Sequence, residues 1–358
     1  MRRRKNCKKY ILPAVILGVG LLLGGCGEKE QITALVTDTE GVRESGISYE
    51  LWQSVVQITE EGGKSAWYSA NSETKEGYAA AMEEAASNDA DLIICYGDTA
   101  GQAVYDEQRL EKQTDFLLIE ARPTQPETGK TYIRGNSCCI YVNPEQAGYL
   151  AGYAAVKEGY TNIGFLAGEA SDQNIRYGSG YLQGAQYAAV EQGLAAGSVQ
   201  VRYRIMGNNA ISPALETEIR GWYEEGCQLI YACGSGPEYL ARSGAAATGN
   251  HIIDTDMINQ SQDGVVLASA GLNYRQAVAS AVSMLQDGQM EWGTENTLGL
   301  AEGALGMDLG ETAWQNFGQE AYDRICTRIS SGELTVTAED VSADPAAYGI
   351  TALQIVFC

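Results

Sequence analysis

The sequence has few of the groups on which catalytic and metal-binding proteins depend. Its 358 residues include one histidine, His251, and no Cys-x-x-Cys pair, so a structural zinc site is not expected. A Ser-His-Asp arrangement would have to use His251, which no Gly-x-Ser-x-Gly elbow accompanies. No lysine follows Gly234-Ser-Gly236 in the manner of a P-loop. The residues predict a binding protein, with no catalytic residue, metal or cofactor.

Positive charge is also scarce. The chain carries 24 Lys+Arg against 46 Asp+Glu, a formal net charge of −22. Such a surface repels phosphate backbones and anionic lipid heads, so a nucleic-acid partner is not expected. Asp254 and Asp256 alternate at a predicted strand end and would face the same side. A pair of this kind can do acid–base work, but it more often binds hydroxyl groups or caps a helix.

The N-terminus has the pattern of a bacterial lipoprotein signal. A basic segment without acids precedes the apolar stretch Ile11–Leu23, which is short for a membrane span. Leu23-Gly24-Gly25-Cys26 then forms a lipobox, which predicts cleavage after residue 25 and acylation of Cys26. An uncleaved N-terminal anchor helix is the alternative. Both place the body at the cell membrane, on the extracytoplasmic face.

The cysteines do not suggest a disulfide framework. Cys95, Cys227 and Cys233 lie in or beside apolar runs, where cysteine behaves as a small hydrophobic residue. Cys138 and Cys139 are adjacent, so on a strand their side chains point to opposite faces. We expect a protein whose cysteines are largely free thiols.

Short apolar runs alternate with amphipathic stretches along the chain, and this pattern predicts parallel sheets with crossover helices. The predicted strands are Ile32–Thr37, Ser65–Ser69, Leu92–Tyr96, Phe116–Glu120, Ile163–Ala167, Val199–Ile205, Leu229–Cys233, Ile252–Thr255 and Val265–Ser269. The predicted helices are Glu50–Glu61, Lys75–Ser87, Pro144–Glu158, Tyr181–Gln192, Leu215–Glu225 and Arg275–Leu285. Asn143 before Pro144 is a favourable helix start.

The pattern occurs twice. Asp91–Gly97 and Gln228–Gly234 each consist of a polar residue, five apolar or aromatic residues and a glycine. Each follows, by roughly 60 residues, a strand that opens its half of the chain. Two similar α/β lobes are the simplest account, and one domain with a long sheet is the alternative.

Ligands of open parallel sheets bind beyond the carboxyl ends of the strands. That rule selects six segments, which meet in one cleft if two lobes face each other: residues 38–48, 97–98, 120–122, 168–177, 234–236 and 254–256. Glu44 and Asp98 are loop acids in these segments, and each is either a ligand contact or solvated surface.

Several segments resemble the basic membrane protein family, the substrate-binding lipoproteins of nucleoside-type ABC importers. The resemblance runs in order through Ala34–Asp38, Gly41-Val42 and Trp52, Tyr141–Ala155, Ile163–Gly168, Arg176–Ala185, Trp222–Gly226, Ala232–Gly236 and Ile329–Val336. It implies a type I periplasmic-binding-protein fold, in which two doubly wound parallel-sheet lobes are joined by a hinge and hold a nucleoside between them.

The resemblance also implies site residues. Tyr177 stands where the family has a stacking aromatic residue, and Asp256 where an aspartate accepts hydrogen bonds from ribose. Asp38 matches the aspartate that ends the first strand. Gly234 matches a glycine that lets the backbone approach the ligand.

Three positions depart from the family pattern. Ile47 replaces the stacking phenylalanine of the first lobe, and Ser48 replaces an asparagine. Leu272 stands where the family has a lysine. One face of the base-binding site is weakened by these changes, so the identity of the ligand stays open.

The implied organisation is a signal peptide (1–25), lobe 1 (31–139 with 268–290), lobe 2 (140–267 with 291–340) and a tail (341–358) that fits no family element. The implied function is a lipid-anchored receptor that captures a nucleoside or related small polar molecule for an ABC permease. A surface sensor of the same fold and a glycosidic or ester hydrolase are the alternatives.

Overall fold

Two β-sheets built from alternating strands and helices form the body of the protein. The computed structural model describes residues 30–44, 46–60, 62–255, 264–310 and 314–358. The predicted signal peptide, Cys26 and Asp256 lie outside these residues. No helix in the described ranges is long and apolar enough to cross a membrane.

The elements are numbered in chain order. The strands are β1 (Ile32–Thr37), β2 (Lys64–Ser69), β3 (Leu92–Tyr96), β4 (Asp115–Ile119), β5 (Ser137–Val142), β6 (Asn162–Ala167), β7 (Val199–Ile205), β8 (Leu229–Cys233), β9 (His251–Asp254), β10 (Val266–Leu272), β11 (Glu295–Leu298), β12 (Leu305–Asp308) and β13 (Leu353–Phe357). The helices are α1 (Ile47–Thr59), α2 (Lys75–Ser87), α3 (Asp98–Leu110), α4 (Pro144–Glu158), α5 (Asp172–Glu191), α6 (Pro213–Glu224), α7 (Ser235–Thr248), α8 (Tyr274–Gln286) and α9 (Gln319–Ser330).

The two sheets repeat one topology. The first has the order β11-β5-β4-β3-β1-β2, and the second has the order β12-β10-β9-β8-β6-β7-β13. The run β5-β4-β3-β1-β2 thus has its counterpart in β10-β9-β8-β6-β7. All pairings are parallel except that of β12 with β10. The repeat predicted from the sequence is therefore present in the sheets.

The glycine that ends each copy of the repeat has the same structural role in both halves. Gly97 follows β3 with φ 84°, and Gly234 follows β8 with φ 103°. Each is the residue before a helix that begins at once, α3 in one half and α7 in the other. A positive φ is strained for residues with a Cβ, so glycine is needed where the chain turns from strand to helix.

The chain passes between the sheets three times. It leaves the first sheet after β5, returns to it after β10 and leaves it again after β11. Two of these crossings lie side by side, because the Asn143 N–H donates to the Leu298 carbonyl oxygen at 3.1 Å. The lobe boundaries given above stay a prediction, but the sheets divide at other residues: β5 and β11 belong to the first sheet and β10 to the second.

The tail without a family counterpart is a structural element. Its last residues form β13, which pairs in parallel with β7 at the edge of the second sheet. The ring of Phe357 meets that of Tyr203 edge-on, with centroids 5.6 Å apart. The tail therefore completes the second sheet.

Helix boundaries follow local capping. Helix α5 begins at Asp172 and not at the predicted Tyr181, because the Ser171 hydroxyl accepts a hydrogen bond from the Asn174 N–H at 3.2 Å. Asn143 does precede α4, but its side chain does not cap the helix. Its Oδ1 accepts a hydrogen bond from Arg176 at 3.0 Å instead.

Helices α4 and α5 touch backbone to backbone through four glycines. A Cβ on Gly148 would overlap the Tyr177 carbonyl oxygen, and one on Gly152 the Tyr181 carbonyl oxygen. Gly180 and Gly184 of α5 approach the backbone of α4 in the same way. The i,i+4 spacing puts each pair on one face of its helix, so the two helices form a single block.

Candidate functional site

A cavity of about 510 Å³ lies at the carboxyl ends of strands from both sheets. From the first sheet's side it is lined by the start of α1 and by Tyr96, the last residue of β3. From the second it is lined by the segments after β6, β7, β8 and β9. Leu272 and Tyr274 of a crossing segment complete the wall. The strand-end rule therefore selected the edge of both sheets at which this cavity lies.

Carboxylates and aromatic rings characterise this cavity. Glu50, Glu169 and Glu238 line it together with the rings of Tyr96, Tyr177 and Tyr274 and the amides of Gln173, Asn174 and Asn209. Among its described lining residues there is no lysine, arginine or histidine. Such a site favours a neutral or cationic guest with a planar part and hydrogen-bond donors.

Two of the carboxylates also have structural partners. Glu50 accepts a hydrogen bond from the Tyr274 N–H at 3.2 Å and so ties α1 to the start of α8. Glu238 accepts one from Arg242 at 3.4 Å. Both acids lie in the first turn of a helix, where the macrodipole favours negative charge.

Tyr177 lies at the cavity, but its side chain is almost completely buried. It is 4% exposed, and its ring packs edge-on against Tyr231 with centroids 6.0 Å apart. Burial raises the pKa of its hydroxyl well above the usual range. Tyr177 belongs as much to the aromatic core of the second lobe as to the cavity wall.

Gly234 also lines the cavity, and the Asn209 side chain lies next to it. A Cβ on Gly234 would lie 2.8 Å from Asn209 Oδ1, and one on Gly236 would overlap the Asn209 backbone. The glycines therefore admit the loop that carries Asn209. Sequence reasoning missed Asn209 because the strand-end rule was not extended to the loop after β7.

Asp38, Ile47 and Ser48 line a second cavity of about 230 Å³ on the first sheet's side. The Asp38 carboxylate pairs with Arg43 at 3.4 Å and accepts the Glu40 N–H at 3.0 Å. Ile47 is the first residue of α1 and lines both cavities. Three of the predicted site residues are thus brought together here.

The other predicted residues lie elsewhere. Asp98 was predicted as a loop acid, but it is the first residue of helix α3, because Gly97 ends the strand and starts the helix. Asp98 and Glu44 are both exposed, and neither is among the residues that line the two cavities. Asp256 lies outside the described residues.

One partly buried and one buried carboxylate lie at the first crossing. Glu120 directly follows β4, has a φ of 52° and accepts a hydrogen bond from the Val142 N–H at 2.9 Å. Burial raises the pKa of Glu120 to about 7. Glu145 pairs with Arg176 at 2.7 Å. Burial raises the pKa of Glu145, and the Arg176 charge opposes that shift.

Sequence comparison connects this architecture to transport proteins. Residues 31–337 match the family model Bmp, described as ABC transporter substrate-binding protein PnrA-like. The ABC transporter nucleoside-binding protein BmpA of Lactococcus lactis subsp. cremoris (strain MG1363) is 23% identical over 332 residues, covering 86% of this chain and 89% of that protein.

Solved structures agree on the fold. An ABC transporter solute-binding protein from Conexibacter woesei DSM 14684 superposes with a TM-score of 0.68 at 14% identity, covering 86% of this chain and 99% of that one. One from Aeropyrum pernix K1 gives 0.64 at 18% identity, covering 89% and 97%. The predicted type I periplasmic-binding-protein fold with two parallel-sheet α/β domains is confirmed.

Proposed function

The chain belongs to the Bmp family of PnrA-like ABC transporter substrate-binding proteins, and from this premise we propose that it captures a nucleoside in the cleft between its two sheets. Proteins of this class bind a small molecule outside the cytoplasmic membrane and deliver it to a membrane permease. The family is one of binding proteins and not of enzymes.

The observation that carries the proposal is the composition of the 510 Å³ cavity. Aromatic rings suit the flat face of a base, and stacking of one base on one ring contributes about 1–3 kcal/mol. Carboxylates and amides suit ribose hydroxyl groups, which donate hydrogen bonds. A relative named as nucleoside-binding supports the same ligand class.

The charge of the cavity lining favours a nucleoside over a nucleotide. The described lining residues include three glutamates and no cationic side chain. A phosphate group placed there would be repelled and would lose its water without a compensating partner. A neutral nucleoside avoids this cost.

Motion between the lobes would complete capture. If the two lobes moved together around the ligand, water would be excluded and each hydrogen bond from the ligand to a carboxylate would be strengthened. The three crossing segments are the natural hinge, because they alone connect the two sheets in the described residues.

Anchoring by lipid at Cys26 is a further part of the proposal, and it rests on the lipobox Leu23-Gly24-Gly25-Cys26. Mass spectrometry and membrane fractionation of the full-length protein and of Cys26→Ser would test it. We expect acylated, membrane-bound protein in the first case and loss of acylation in the second. Unmodified Cys26 in the native protein would remove this part of the proposal.

Calorimetry on the full-length chain in detergent tests the ligand. Adenosine, guanosine, inosine, uridine and cytidine would be titrated beside AMP and free ribose. We expect at least one nucleoside to bind and AMP to bind much more weakly than adenosine. Folded protein that binds none of the nucleosides would refute the assignment. Equal binding of AMP and adenosine would contradict the charge argument.

A further inference from the structure

The large and the small cavity share part of their walls. Three residues line both: Gly46, Ile47 and Tyr96. Gly46 has no side chain, and Ile47 is 37% exposed at the start of α1. Tyr96 is therefore the one bulky, partly buried side chain that both cavities share.

Tyr96 is held firmly in this position. It is the last residue of β3 and pairs in register with Ile119 of β4. Its ring meets that of Tyr274 edge-on, with centroids 5.7 Å apart at 79°. The Tyr274 N–H is in turn bound to Glu50 at 3.2 Å.

The small cavity behind Tyr96 suits an apolar or aromatic group. Its wall includes Leu35, Val36, Leu51 and Tyr78, with Asp38 and Arg43 paired to each other at its polar side. Its volume of about 230 Å³ exceeds the roughly 150 Å³ of an apolar cavity that holds benzene. A single aromatic ring would therefore fit.

We propose that Tyr96 determines specificity as the partition between two compartments, confining the ligand to the larger one and excluding an aryl substituent from the smaller one. This inference rests on the proposed function, because it concerns ligands of the same site. Removing the ring would join the compartments and admit a nucleoside that carries a bulky aryl group.

The test measures affinity ratios with the full-length chain. Adenosine, N6-benzyladenosine and 5′-benzylthio-5′-deoxyadenosine would be titrated into the native protein, Tyr96→Ala and Tyr96→Phe. We expect the affinity of one benzyl probe relative to adenosine to rise at least about ten-fold in Tyr96→Ala. Tyr96→Phe, which keeps the ring, should keep the native ratio. The probe that gains shows which end of the nucleoside faces the small compartment.

A merely structural role of Tyr96 would weaken all three ligands alike, and an unchanged ratio in folded Tyr96→Ala would overturn the proposal. Equally tight binding of a benzyl probe and adenosine to the native protein would overturn it as well. Tyr132→Ala is the matched control, since Tyr132 is 59% exposed and lines neither cavity. It should change no ratio.

Failure of the proposed function is distinguishable from failure of the partition. If native protein binds no nucleoside, the ligand assignment fails, and the crystal structure of Tyr96→Ala decides the partition alone. We expect one continuous cavity in that structure. Collapse of Tyr274 or Ile47 into the vacated space, leaving two separate cavities, would refute the role of Tyr96.

Discussion

The carboxylate of Glu120 accepts a hydrogen bond from the Val142 N–H at 2.9 Å. This bond joins the residue after β4 to the last residue of β5, where the chain first leaves the first sheet. Glu120 has a positive φ of 52°, and only one other non-glycine residue, Asp89, has one in the described ranges. A strained backbone that persists is held by its surroundings, here by this contact and by the β4–β5 pairing.

Glu120 makes stability depend on pH. Burial raises the pKa of Glu120 from 4.5 to about 7, while the Val142 N–H and the Arg176 charge oppose the shift and Asp172 adds to it. The folded state binds the Glu120 proton more tightly than the unfolded state does. The stabilisation that comes from this protonation is therefore complete below pH 4.5 and is lost as pH rises through about 7. Thermal unfolding of Glu120→Gln should therefore depend less on pH across this range than that of the native protein.

The matched control for Glu120 is Glu44→Gln, which removes an exposed carboxylate of the same type. It should leave the pH dependence of unfolding unchanged. A Glu120→Gln curve parallel to the native one across the range would show that Glu120 titrates normally in the folded protein.

Replacing only one partner of the Glu145–Arg176 ion pair should lower the free energy of unfolding substantially. The Glu145 side chain is 4% exposed and that of Arg176 is 19% exposed, and their shortest distance is 2.7 Å. Arg176→Met leaves a buried charge without its partner, so urea unfolding should show a loss of about 3 kcal/mol. Replacing both residues, Arg176→Met with Glu145→Leu, should cost less than the single change.

An exposed pair supplies the control for that experiment. Arg324→Met breaks the helical pair with Glu320, whose side chain is 94% exposed, and should cost less than about 1 kcal/mol. Equal losses for Arg176→Met and Arg324→Met would mean that burial does not strengthen the Glu145–Arg176 pair.

Substitution of a glycine at the α4–α5 contact and of a glycine with open space around it should have opposite effects on stability. A Cβ on Gly180 would overlap the Glu145 carbonyl oxygen, so Gly180→Ala should destabilise the protein by about 1–3 kcal/mol or more. Gly221 lies within α6 with no atom near the position of its Cβ, so Gly221→Ala should stabilise by about 0.5–1 kcal/mol. Denaturant unfolding of both variants measures the contrast, and equal signs would contradict it.

Tyr177 should contribute to ligand affinity through its ring and not through its hydroxyl. Tyr177→Ala should weaken nucleoside binding by at least about five-fold, in line with about 1–3 kcal/mol for one stacked base. Tyr177→Phe keeps the ring and should retain most of the affinity. Because Tyr177 also packs on Tyr231, folding of both variants would be confirmed by circular dichroism before titration. Native affinity in folded Tyr177→Ala would remove Tyr177 from the site.

The regular part of the fold could be predicted because parallel strands buried on both faces have continuous apolar runs. The bounds of β1, β3, β7 and β8 match the sequence prediction residue for residue. The strands β5, β11, β12 and β13 were missed. Residues Glu295–Leu298 carry one buried side chain and form a strand because they pair with β5 at a crossing, which no local pattern encodes.

The site could be predicted in position but only partly in composition. The strand-end rule needs only the sheet topology, and it placed Asp38, Tyr177 and Gly234 at cavity walls. Glu50 and Tyr274 come together across 224 positions of sequence, a contact that exists only after the chain has crossed between the sheets. Tyr96 stands one residue before the segment that the rule selected, and its importance depends on a partner that the sequence does not reveal.

The glycine contacts between α4 and α5 have a mechanical consequence. The Tyr177 carbonyl oxygen rests against Gly148, and α4 begins directly after the first crossing. A ligand that contacted the Tyr177 ring would therefore act on two helices that pack against each other along their length. Any displacement of Tyr177 on binding would then move α4 as well, and with it the start of α4 after the first crossing.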